Sequence, residues 1–364
     1  MTLQECLGLS FKLQKFITIP NYGEKSWTIG SLGRILPILV CTCGALSDII
    51  HALIVPRVPQ VEDSSVVSRT VSKMDYMVNC MGLIVIVILG FHCNSDHLTM
   101  YIHINDFEKR LLWGQAEIRK RQLRNNRDVC ICIFYNIFLN CVFFYINFAT
   151  YDLRSGILYM IYMITMCVSD TITVYIVHIY KEVHTLARRL RLRELLLRNE
   201  LNTFLLLADF LNIIPHLNSA LGELTFLTFI QHIICSSFSS YIIFWTIFDT
   251  NMPLELFIFC IACIFWMIRS TGCIIYLSIS GNNLSDEITN LLRCINKMNE
   301  RGNQENFVFN QDQMLLWSHH LDTRIIAGGF LEINNSGIFS IICSAVTYLL
   351  VWLQFKQLED FNYI

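Results

Sequence analysis

The chain has 364 residues, of which 54% are hydrophobic and 15% are charged, and its formal net charge is -2 at pH 7. A soluble domain carries about 25% charged residues, so the composition excludes an ordinary soluble protein and favours one embedded in lipid. The common enzyme motifs H-E-x-x-H and G-x-S-x-G and a Gly-rich phosphate loop are missing, so we expect neither an enzyme nor a bound cofactor.

Residues 1–34 form the first predicted region, a cytoplasmic N-terminal segment. The chain starts M-T-L-Q-E-C-L-G-L-S-F-K-L-Q-K-F, without the apolar core and small-residue cleavage site of a secretory signal peptide. We therefore expect the first membrane span to direct insertion by itself.

Seven segments are apolar enough to cross a bilayer, which requires about 20 such residues in a helix. Four of them carry no charged residue: Tyr76–Ser95, Val129–Tyr151, Leu224–Phe248 and Ile333–Phe355. Three carry one charge each: Ile35–Pro56 with Asp48, Ile157–Tyr180 with Asp170, and Leu256–Ser280 with Arg269. The sequence therefore predicts an all-α membrane protein with seven transmembrane helices, and beside seven spans we expect no nucleic-acid partner.

The basic residues predict the orientation of these helices. If the N-terminus is cytoplasmic, 21 of the 27 Lys and Arg residues lie in inside regions, five lie outside and Arg269 lies within a span. Loops rich in Lys and Arg stay in the cytosol, so we predict a cytoplasmic N-terminus and an extracellular C-terminus. This orientation is opposite to that of G-protein-coupled receptors, whose motifs D-R-Y and N-P-x-x-Y are also missing.

The predicted inside loops contain amphipathic segments. Residues 186–201 place leucines at helical spacing with arginines on the other faces, and residues 119–127 read R-K-R-Q-L-R-N-N-R. Such segments either continue the membrane helices and pack on their neighbours, or lie on anionic membrane lipid. We favour the first interpretation, in which extended helices form a packed cytoplasmic core.

The chain is thus divided into five regions. After the N-terminal segment, residues 35–280 hold the first six spans, and 281–332 hold an inside loop with an amphipathic helix at 310–324. The run A-G-G-F at 327–330 predicts a flexible break between that helix and the last span, 333–356. Residues 357–364 form an extracellular tail.

Two further patterns resemble a metal site and glycosylation sites, but we predict neither a bound metal nor a glycan. Cys260-x-x-Cys263 has metal-like spacing, but it lies among Phe, Ile and Trp and lacks further ligands, so no metal site is predicted. Sequons begin at Asn283 and Asn334. Both lie inside in the predicted orientation, so neither should be glycosylated.

Asp170 and Arg269 are charged residues within predicted spans. A charge there costs several kcal/mol unless it is paired or solvated. Both residues lie at about the same depth from the outer surface, so a salt bridge is the first interpretation. The alternatives are that Arg269 extends toward the cytosol, or that one of the two contacts a ligand or an ion.

The last span ends in Thr347-Tyr348, five apolar residues and Gln354-Phe355. In an inverted seven-span protein this pattern resembles the signature of insect gustatory receptors, and the residues that lead into it also resemble that family. The resemblance implies a ligand-gated cation channel similar to the insect odorant receptors, in which four subunits surround one pore. It further implies that each last helix lines the pore and that the cytoplasmic helices form a shared anchor domain.

The resemblance places Gln354 and Phe355 at the extracellular constriction of the pore, with Leu350 and Val351 one turn away. Four Phe rings around an axis resist wetting, whereas four Gln amides offer oxygens to a partly dehydrated cation. Neighbours on a helix differ by about 100°, so a modest rotation exchanges one for the other. The alternative is that Gln354 only forms hydrogen bonds at the headgroup level.

The resemblance also implies a ligand pocket among the outer halves of the helices. The candidates are aromatic residues in those halves: Tyr76, Phe144, Phe148, Tyr159, Tyr162, Tyr241, Trp245 and Trp266. Aromatic rings with polar tips suit small organic ligands. Tyr and Trp also collect at membrane interfaces without binding anything, so the pattern alone does not separate the two uses.

The predicted function is a tastant-gated, non-selective cation channel in the plasma membrane of chemosensory neurons. It would act as a homotetramer or as a heterotetramer with other gustatory receptors, and we favour an aversive compound over a sugar as the tastant. The alternative is a metabotropic seven-span chemoreceptor that signals through its cytoplasmic loops. A transporter would predict internal repeats, and the sequence shows no convincing one.

Overall fold

The computed structural model describes residues 3–17, 92–111, 115–150, 153–197, 200–248, 254–301, 324–329 and 331–362, with short helical pieces and single residues between 43 and 89. Two predicted elements lie outside the described residues, apart from single positions. They are the first span, 35–56, and the helix at 310–324. The remaining predicted spans are described in whole or in part.

α-Helices, most of them long, make up nearly all of the described chain. They are α1 (Leu3–Leu7), α2 (Leu9–Ile17), α3 (Asn94–Leu111), α4 (Gln115–Thr150), α5 (Leu153–Leu197), α6 (Glu200–Leu211), α7 (Ile213–Phe248), α8 (Leu254–Arg301) and α9 (Asn335–Asn362). The apolar sequence explains this outcome, because a helix satisfies its backbone hydrogen bonds within one segment and therefore tolerates lipid.

Three of the described helices are long and apolar enough to cross a membrane: Ile118–Tyr145, Leu206–Phe244 and Cys260–Cys294. Two shorter apolar helical stretches are Met77–Ile86 and Ile342–Phe355. These five stretches overlap five of the seven predicted spans, and the predicted span at 157–180 lies within α5. The total of seven spans and their orientation stay predictions.

The central helix of the bundle is α5. All of its residues from 168 to 180 are buried, and α4, α7 and α8 pack around it. A helix that is buried all round must give each of its polar side chains a partner from a neighbouring helix, because an unpaired polar group in the interior is costly. This requirement brings together the polar residues described below.

The short helices α1 and α2 dock against α3, α4 and α5 at one end of the bundle, which we call the base. The backbone N–H of Leu3 donates to Asn105 Oδ1 at 2.6 Å, and that of Leu9 donates to Asn126 Oδ1 at 2.7 Å. The first N–H groups of a helix have no partner within the helix. Side chains from α3 and α4 therefore complete the two helix ends.

Gly8 joins α1 to α2 in a conformation that favours glycine. Its φ is 55°, and a Cβ at this position would lie 2.3 Å from Asn126 Oδ1. On the preceding turn, Asn125 Nδ2 donates to the backbone oxygen of Cys6 at 3.0 Å. The N-terminal segment is thus fixed to α4 by backbone contacts on both sides of Gly8.

The segment before α9 is an ordered hairpin, which differs from the predicted flexible break and from a purely helical fold. Strands β1 (Ile326–Ala327) and β2 (Leu331–Glu332) pair antiparallel. Gly328 and Gly329 adopt φ values of 60° and 78° in the turn between them. The two glycines therefore provide a left-handed turn that other residues rarely adopt, rather than flexibility.

This hairpin is attached to α7. Gly328 N donates to Gly222 O at 2.9 Å, Asn218 Nδ2 donates to Arg324 O at 2.8 Å, and Ile326 N donates to Asn218 Oδ1 at 3.1 Å. A Cβ on Gly222 would lie 3.0 Å from the backbone oxygen of Ile326, so glycine permits the close approach. The start of α9 is thereby held against α7.

Candidate pore helix and buried polar cluster

One face of α9 packs on the bundle. Leu349, Trp352 and Leu353 contact the buried core, at the spacing that places residues on one side of a helix. The Trp352 ring meets Tyr241 of α7 edge-on, with ring centroids 6.3 Å apart and planes at 88°. This stripe, together with the hairpin, holds α9 to the rest of the chain.

Most of the other described side chains of α9 are exposed, and the large ones among them are mainly apolar. Its exposed large side chains are Phe339, Ile342, Val346, Tyr348, Leu350, Val351, Phe355 and Leu358. Gln354 is exposed beside Phe355, and the hydroxyl of Thr347 donates to the backbone oxygen of Cys343 at 2.9 Å. Eight exposed large side chains along one helix indicate contact with lipid or with another protein.

A polar cluster lies inside the bundle, between α4, α5, α7 and α8. Arg269 Nε is 3.3 Å from Asp170 Oδ2, and the same oxygen accepts a hydrogen bond from Asn136 Nδ2 at 2.8 Å. His232 Nε2 lies 3.9 Å from Asp170 Oδ1 and 3.1 Å from the hydroxyl oxygen of Thr173. The structure thus brings Asp170 and Arg269 together and adds three uncharged polar neighbours.

Three members of this region are possible metal ligands. Donor atoms of Asp170, His232 and Cys273 lie within 4.8 Å of one another. However, the Asp170 carboxylate is already shared between the Arg269 guanidinium and the Asn136 amide. A cation placed there would add a second positive charge beside Arg269, so we interpret the cluster as a hydrogen-bond network.

A second polar group lies further along α5 toward the base. Asp128 Oδ2 accepts hydrogen bonds from the Tyr276 hydroxyl at 2.7 Å and from Lys181 Nζ at 3.3 Å. Lys181 Nζ also lies 4.2 Å from the centroid of the Tyr276 ring, a distance suited to a cation–π contact. These contacts join α4, α5 and α8 one layer below the first cluster.

A third polar group lies at the base itself. Arg121 contacts Glu182 and lies 3.4 Å from Glu108, and all three side chains are buried. Burial, together with the Glu182 carboxylate, raises the pKa of the Cys6 thiol to about 12, and burial also raises the pKa of Glu108. A thiol with so high a pKa stays protonated and unreactive at neutral pH, so Cys6 is a packing residue.

Sequence reasoning missed most partners in these three groups. Asn136 and His232 lie within predicted spans, where an uncharged polar residue is itself a signal of a partner on another helix. Asp128 directly precedes the predicted third span, and Arg121 lies in a run of basic residues. For these two, the local pattern carries no sign that they are paired.

The predicted ligand-binding aromatics are described only in part. Tyr241 is fully buried under Trp352, and Trp266 is buried beside Arg269, whose Cζ lies 4.7 Å from the Trp266 ring centroid. Phe144 is half-buried on α4. The side chains outside the described set are Tyr76, Phe148, Tyr159, Tyr162 and Trp245.

The family model of the 7tm chemosensory receptors matches residues 34–359. The chain belongs to this family. The match confirms the predicted relationship to the insect gustatory and odorant receptors, and the helices of this chemosensory receptor make it a multi-pass membrane protein. Gustatory receptor 68a of Drosophila melanogaster is 31% identical to the receptor over 101 residues, which is 28% of this chain and 25% of that protein.

The fold of the receptor is that of an insect olfactory receptor. The olfactory receptor OR5 of Machilis hrabei matches it with a TM-score of 0.63 and 12% identity, over 96% of each chain. The structure of OR5 in complex with eugenol matches with a TM-score of 0.64 and 11% identity, again over 96% of each chain. The chemosensory receptor thus shares its architecture with OR5 along nearly its whole length.

Proposed function

We propose that this chain is a gustatory receptor subunit that forms a tastant-gated, non-selective cation channel. One observation carries the proposal: α9 packs on the bundle through Leu349, Trp352 and Leu353, while Gln354 and Phe355 next to that stripe are exposed. A helix with one anchored face and one exposed face is suited to line a pore shared with other subunits.

The exposed apolar surface of α9 favours assembly around an axis. Four copies of the chain, or this chain with other gustatory receptors, would cover this surface and enclose a pore between four α9 helices. Such head-to-tail contacts close into a ring when the rotation between subunits is one quarter turn. The packing of α9 through a single stripe supports this arrangement over burial against lipid alone.

The orientation follows from the basic loops. The N-terminal segment 1–34 and residues 281–332 lie in the cytosol, residues 35–280 carry the first six spans, and residues 357–364 form the extracellular tail. The extended ends of α4, α5 and α8, which pass well beyond the length of a span, would build the shared anchor domain. The receptor acts in the plasma membrane of chemosensory neurons.

Gating is an exchange between two neighbouring side chains. In the closed state the Phe355 rings meet at the axis and dewet the pore; in the open state the Gln354 amides replace them and offer oxygens to the cation. Leu350 and Val351 continue the pore wall one turn away. The exchange requires a rotation of α9 about its own axis, because neighbouring residues on a helix differ by about 100°.

The tastant binds among the outer halves of the helices that surround α5. Trp266 is the described candidate nearest to the polar cluster, whereas Tyr241 supports α9 from behind and transmits movement rather than contacting the ligand. The complex of OR5 with eugenol supports a small organic molecule as the ligand of this architecture.

The test is whole-cell current from cells that express this chain alone, during a panel of tastants, without added G-protein. We expect Phe355→Ala to leave the pore partly open without tastant and Gln354→Ala to lower conductance. The matched control is Phe134→Ala, because Phe134 is 75% exposed on α4, away from α9. This control should gate like the wild type.

Two outcomes contradict the proposal. If Phe355→Ala and Phe134→Ala behave alike in a chain that conducts, the gate assignment is wrong. If the receptor reaches the surface and responds only when a G-protein is supplied, the metabotropic alternative is correct. Coexpression with other gustatory receptors separates a missing partner subunit from both outcomes.

A further inference from the structure

The predicted cytoplasmic ends of three spans meet at one level of the bundle. Asp128 Oδ2 of α4 accepts hydrogen bonds from Lys181 Nζ of α5 at 3.3 Å and from the Tyr276 hydroxyl of α8 at 2.7 Å. Each of these three residues lies within about one helical turn of the predicted cytoplasmic end of its span. The contacts therefore mark the level at which the three helices leave the membrane, where the lipid headgroups lie.

Basic side chains gather at this level and just below it. Arg124 and Arg127 lie one turn apart on α4, and both are exposed. Lys181 and Arg188 lie two turns apart on α5, followed by Arg191, and of these three Arg188 is exposed while the other two are half-buried. We call these five residues the basic cluster.

Members of the basic cluster from the two helices repel one another. Burial lowers the pKa of Lys181, and the guanidinium groups of Arg124 and Arg127 lower it further. Burial also lowers the pKa of His184, which lies between Lys181 and Arg188 on α5, and three arginines of the cluster, Arg124 among them, lower it further. Because Arg124 acts on two consecutive turns of α5, both helices present their cations to one region.

Two carboxylates offset only part of this positive charge. Asp128 lies 3.3 Å from Lys181 Nζ and 3.6 Å from Arg127 Nη2 through its two oxygens, and Glu287 Oε1 accepts a hydrogen bond from Arg191 Nε at 2.7 Å. Both carboxylates act against the repulsion, yet the pKa of Lys181 stays below its ordinary value. The cluster therefore keeps an excess of positive charge.

Arg124 and Arg188 are the open positions of the cluster. Both are exposed, and neither forms an ion pair with any residue that the structure describes. Five cations against two carboxylates leave an excess of three positive charges. An anion with several charges that contacts both guanidinium groups would form charge-assisted hydrogen bonds and relieve the repulsion.

An exposed apolar surface continues directly above the cluster. On α4, Ile131 and Phe134 follow Arg127 by one and two turns on the same helix face, and both are exposed. On α8, Ile275 and Ile279 are exposed near the predicted cytoplasmic end of the span. A lipid meets both surfaces at once, with its headgroup at the cluster and its acyl chains along the apolar side chains, whereas a soluble anion meets only the cluster.

We propose that the basic cluster binds the headgroup of a phosphoinositide of the inner leaflet, whose acyl chains lie along Ile131 and Phe134. Basic groups next to the cytoplasmic end of a membrane helix are suited to such lipids. A headgroup with several phosphate charges matches the excess of three positive charges, whereas phosphatidylserine carries a single net negative charge. The segments 119–127 and 186–201 would then pack on the bundle through one face and bind lipid through the other.

The experiment measures lipid binding to the purified full chain in neutral detergent by native mass spectrometry. The probe is dioctanoyl phosphatidylinositol 4,5-bisphosphate, and the comparison probes are dioctanoyl phosphatidylserine and soluble inositol 1,4,5-trisphosphate. We expect the bisphosphate lipid to bind at least about tenfold more tightly than either, because phosphatidylserine lacks the charge and the trisphosphate lacks the acyl chains.

The test variant combines Arg124→Gln with Arg188→Gln, which leaves the described salt bridges of the cluster intact. Each Lys or Arg beside an anionic headgroup contributes about fivefold in affinity, so we expect binding to weaken about twentyfold to thirtyfold. Arg124→Lys combined with Arg188→Lys keeps the charge and should retain most of the affinity.

The matched control combines Lys109→Gln with Arg293→Gln, which removes the same charge from exposed positions of α3 and α8. Both residues lie about 20 Å below the predicted cytoplasmic ends of their spans, too far to reach a headgroup. We expect this control to bind the bisphosphate lipid like the wild type and to have the same melting temperature as the test variant.

Three results overturn the proposal: the test variant binds like its control, phosphatidylserine binds as tightly as the bisphosphate lipid, or soluble trisphosphate binds as tightly as the lipid. The last result would assign the cluster to a soluble phosphate. Binding is measured without current, so the lipid site and the channel fail separately. Lipid binding in a chain that never conducts keeps the site and rejects the channel, whereas current in a chain that binds no lipid keeps the channel and rejects the site.

Discussion

Trp352 meets Tyr241 edge-on, two residues before Gln354, with ring centroids 6.3 Å apart. The contact joins α9 to α7 close to two neighbouring side chains of different chemistry, the Gln354 amide and the Phe355 ring. Because successive residues on a helix differ by about 100°, the anchor on one face determines which of these two side chains points away from the bundle. The aromatic pair therefore contributes, with Leu349, Leu353 and the hairpin, to the position of α9.

Replacing this anchor should loosen α9. Trp352→Ala removes a large side chain from a packed stripe, and such changes cost about 3–5 kcal/mol in a core and less at a half-buried position. We expect a lower melting temperature of the solubilised receptor, measured by size-exclusion chromatography after heating. Leu358→Ala, at an exposed position of the same helix, is the control and should melt like the wild type. Equal melting of the two variants would show that the Tyr241 contact does not hold α9.

Breaking the buried ion pair should be more damaging than removing both charges. Arg269→Met leaves the Asp170 carboxylate buried with only Asn136 and weaker neighbours, a change that costs about 3–5 kcal/mol in typical proteins. Asp170→Asn combined with Arg269→Met should recover part of the loss. Surface expression and melting temperature of both single variants and the double variant form a thermodynamic cycle. Additive losses would mean that the two residues do not stabilise one another.

Gly8 and Gly272 are a matched pair of glycines with opposite surroundings. Gly8→Ala forces a side chain into a left-handed conformation and against Asn126, so we expect undocking of α1 and α2 at a cost of about 1–3 kcal/mol. Gly272→Ala meets no atom within 4 Å and should be neutral or stabilising by up to about 1 kcal/mol. Trypsin cleavage at the exposed Lys12 measures docking. Cleavage of the Gly272 variant faster than the wild type would contradict this account. Cleavage of the Gly8 variant at the wild-type rate would contradict it as well.

The hairpin before α9 should depend on Asn218. Its side chain makes two hydrogen bonds to the hairpin backbone, and Asn218→Ala leaves the oxygen of Arg324 and the N–H of Ile326 without that partner. We expect a loss of about 1–3 kcal/mol and faster hydrogen exchange at residues 324–333. Asn212→Ala, at an exposed position of α6–α7, should leave this exchange unchanged. Slower or unchanged exchange in the Asn218 variant would exclude the proposed attachment.

Glycosylation tests the predicted orientation. Asn283 and Asn334 should remain unmodified, because the predicted orientation places both in the cytosol. The Asn334 side chain also accepts a hydrogen bond from Gly337 N at 2.7 Å at the start of α9. Glu62→Asn creates a sequon in the predicted outer loop and should add one glycan that endoglycosidase removes. A glycan on the wild-type chain, or none on the Glu62 variant at the cell surface, would indicate the opposite orientation.

The long helices and the chemical class of the protein follow from composition and apolar length, because lipid leaves the backbone few alternatives to a helix. The pairing of Asp170 with Arg269 could be predicted from the sequence, because both residues lie at about the same depth in their spans. A partner for Asn136 could also have been predicted, because Asn136 is a polar amide within an apolar span. By contrast, the partners of Asp128 and Arg121 depend on how four helices are rotated about their axes, and that rotation is set by packing that no single segment encodes.

The hairpin at 326–332 was missed for a different reason. Two adjacent glycines are compatible with flexibility and with a tight turn. Only contacts from α7, the backbone oxygen of Gly222 and the side chain of Asn218, decide between them. The same holds for the exposed face of α9. Its sequence is as apolar as any buried span, so the sequence alone does not show which of its faces this chain covers.

The docking of α1 and α2 has a consequence for the order of assembly. Asn105 follows Leu3 by 102 residues, and Asn126 follows Leu9 by 117 residues. The two short helices are therefore synthesised long before their binding surface exists, and contacts of such separation form late. A receptor in which Leu3 and Leu7 are still accessible is one whose later helices have not yet packed, so the N-terminal segment marks the completion of folding.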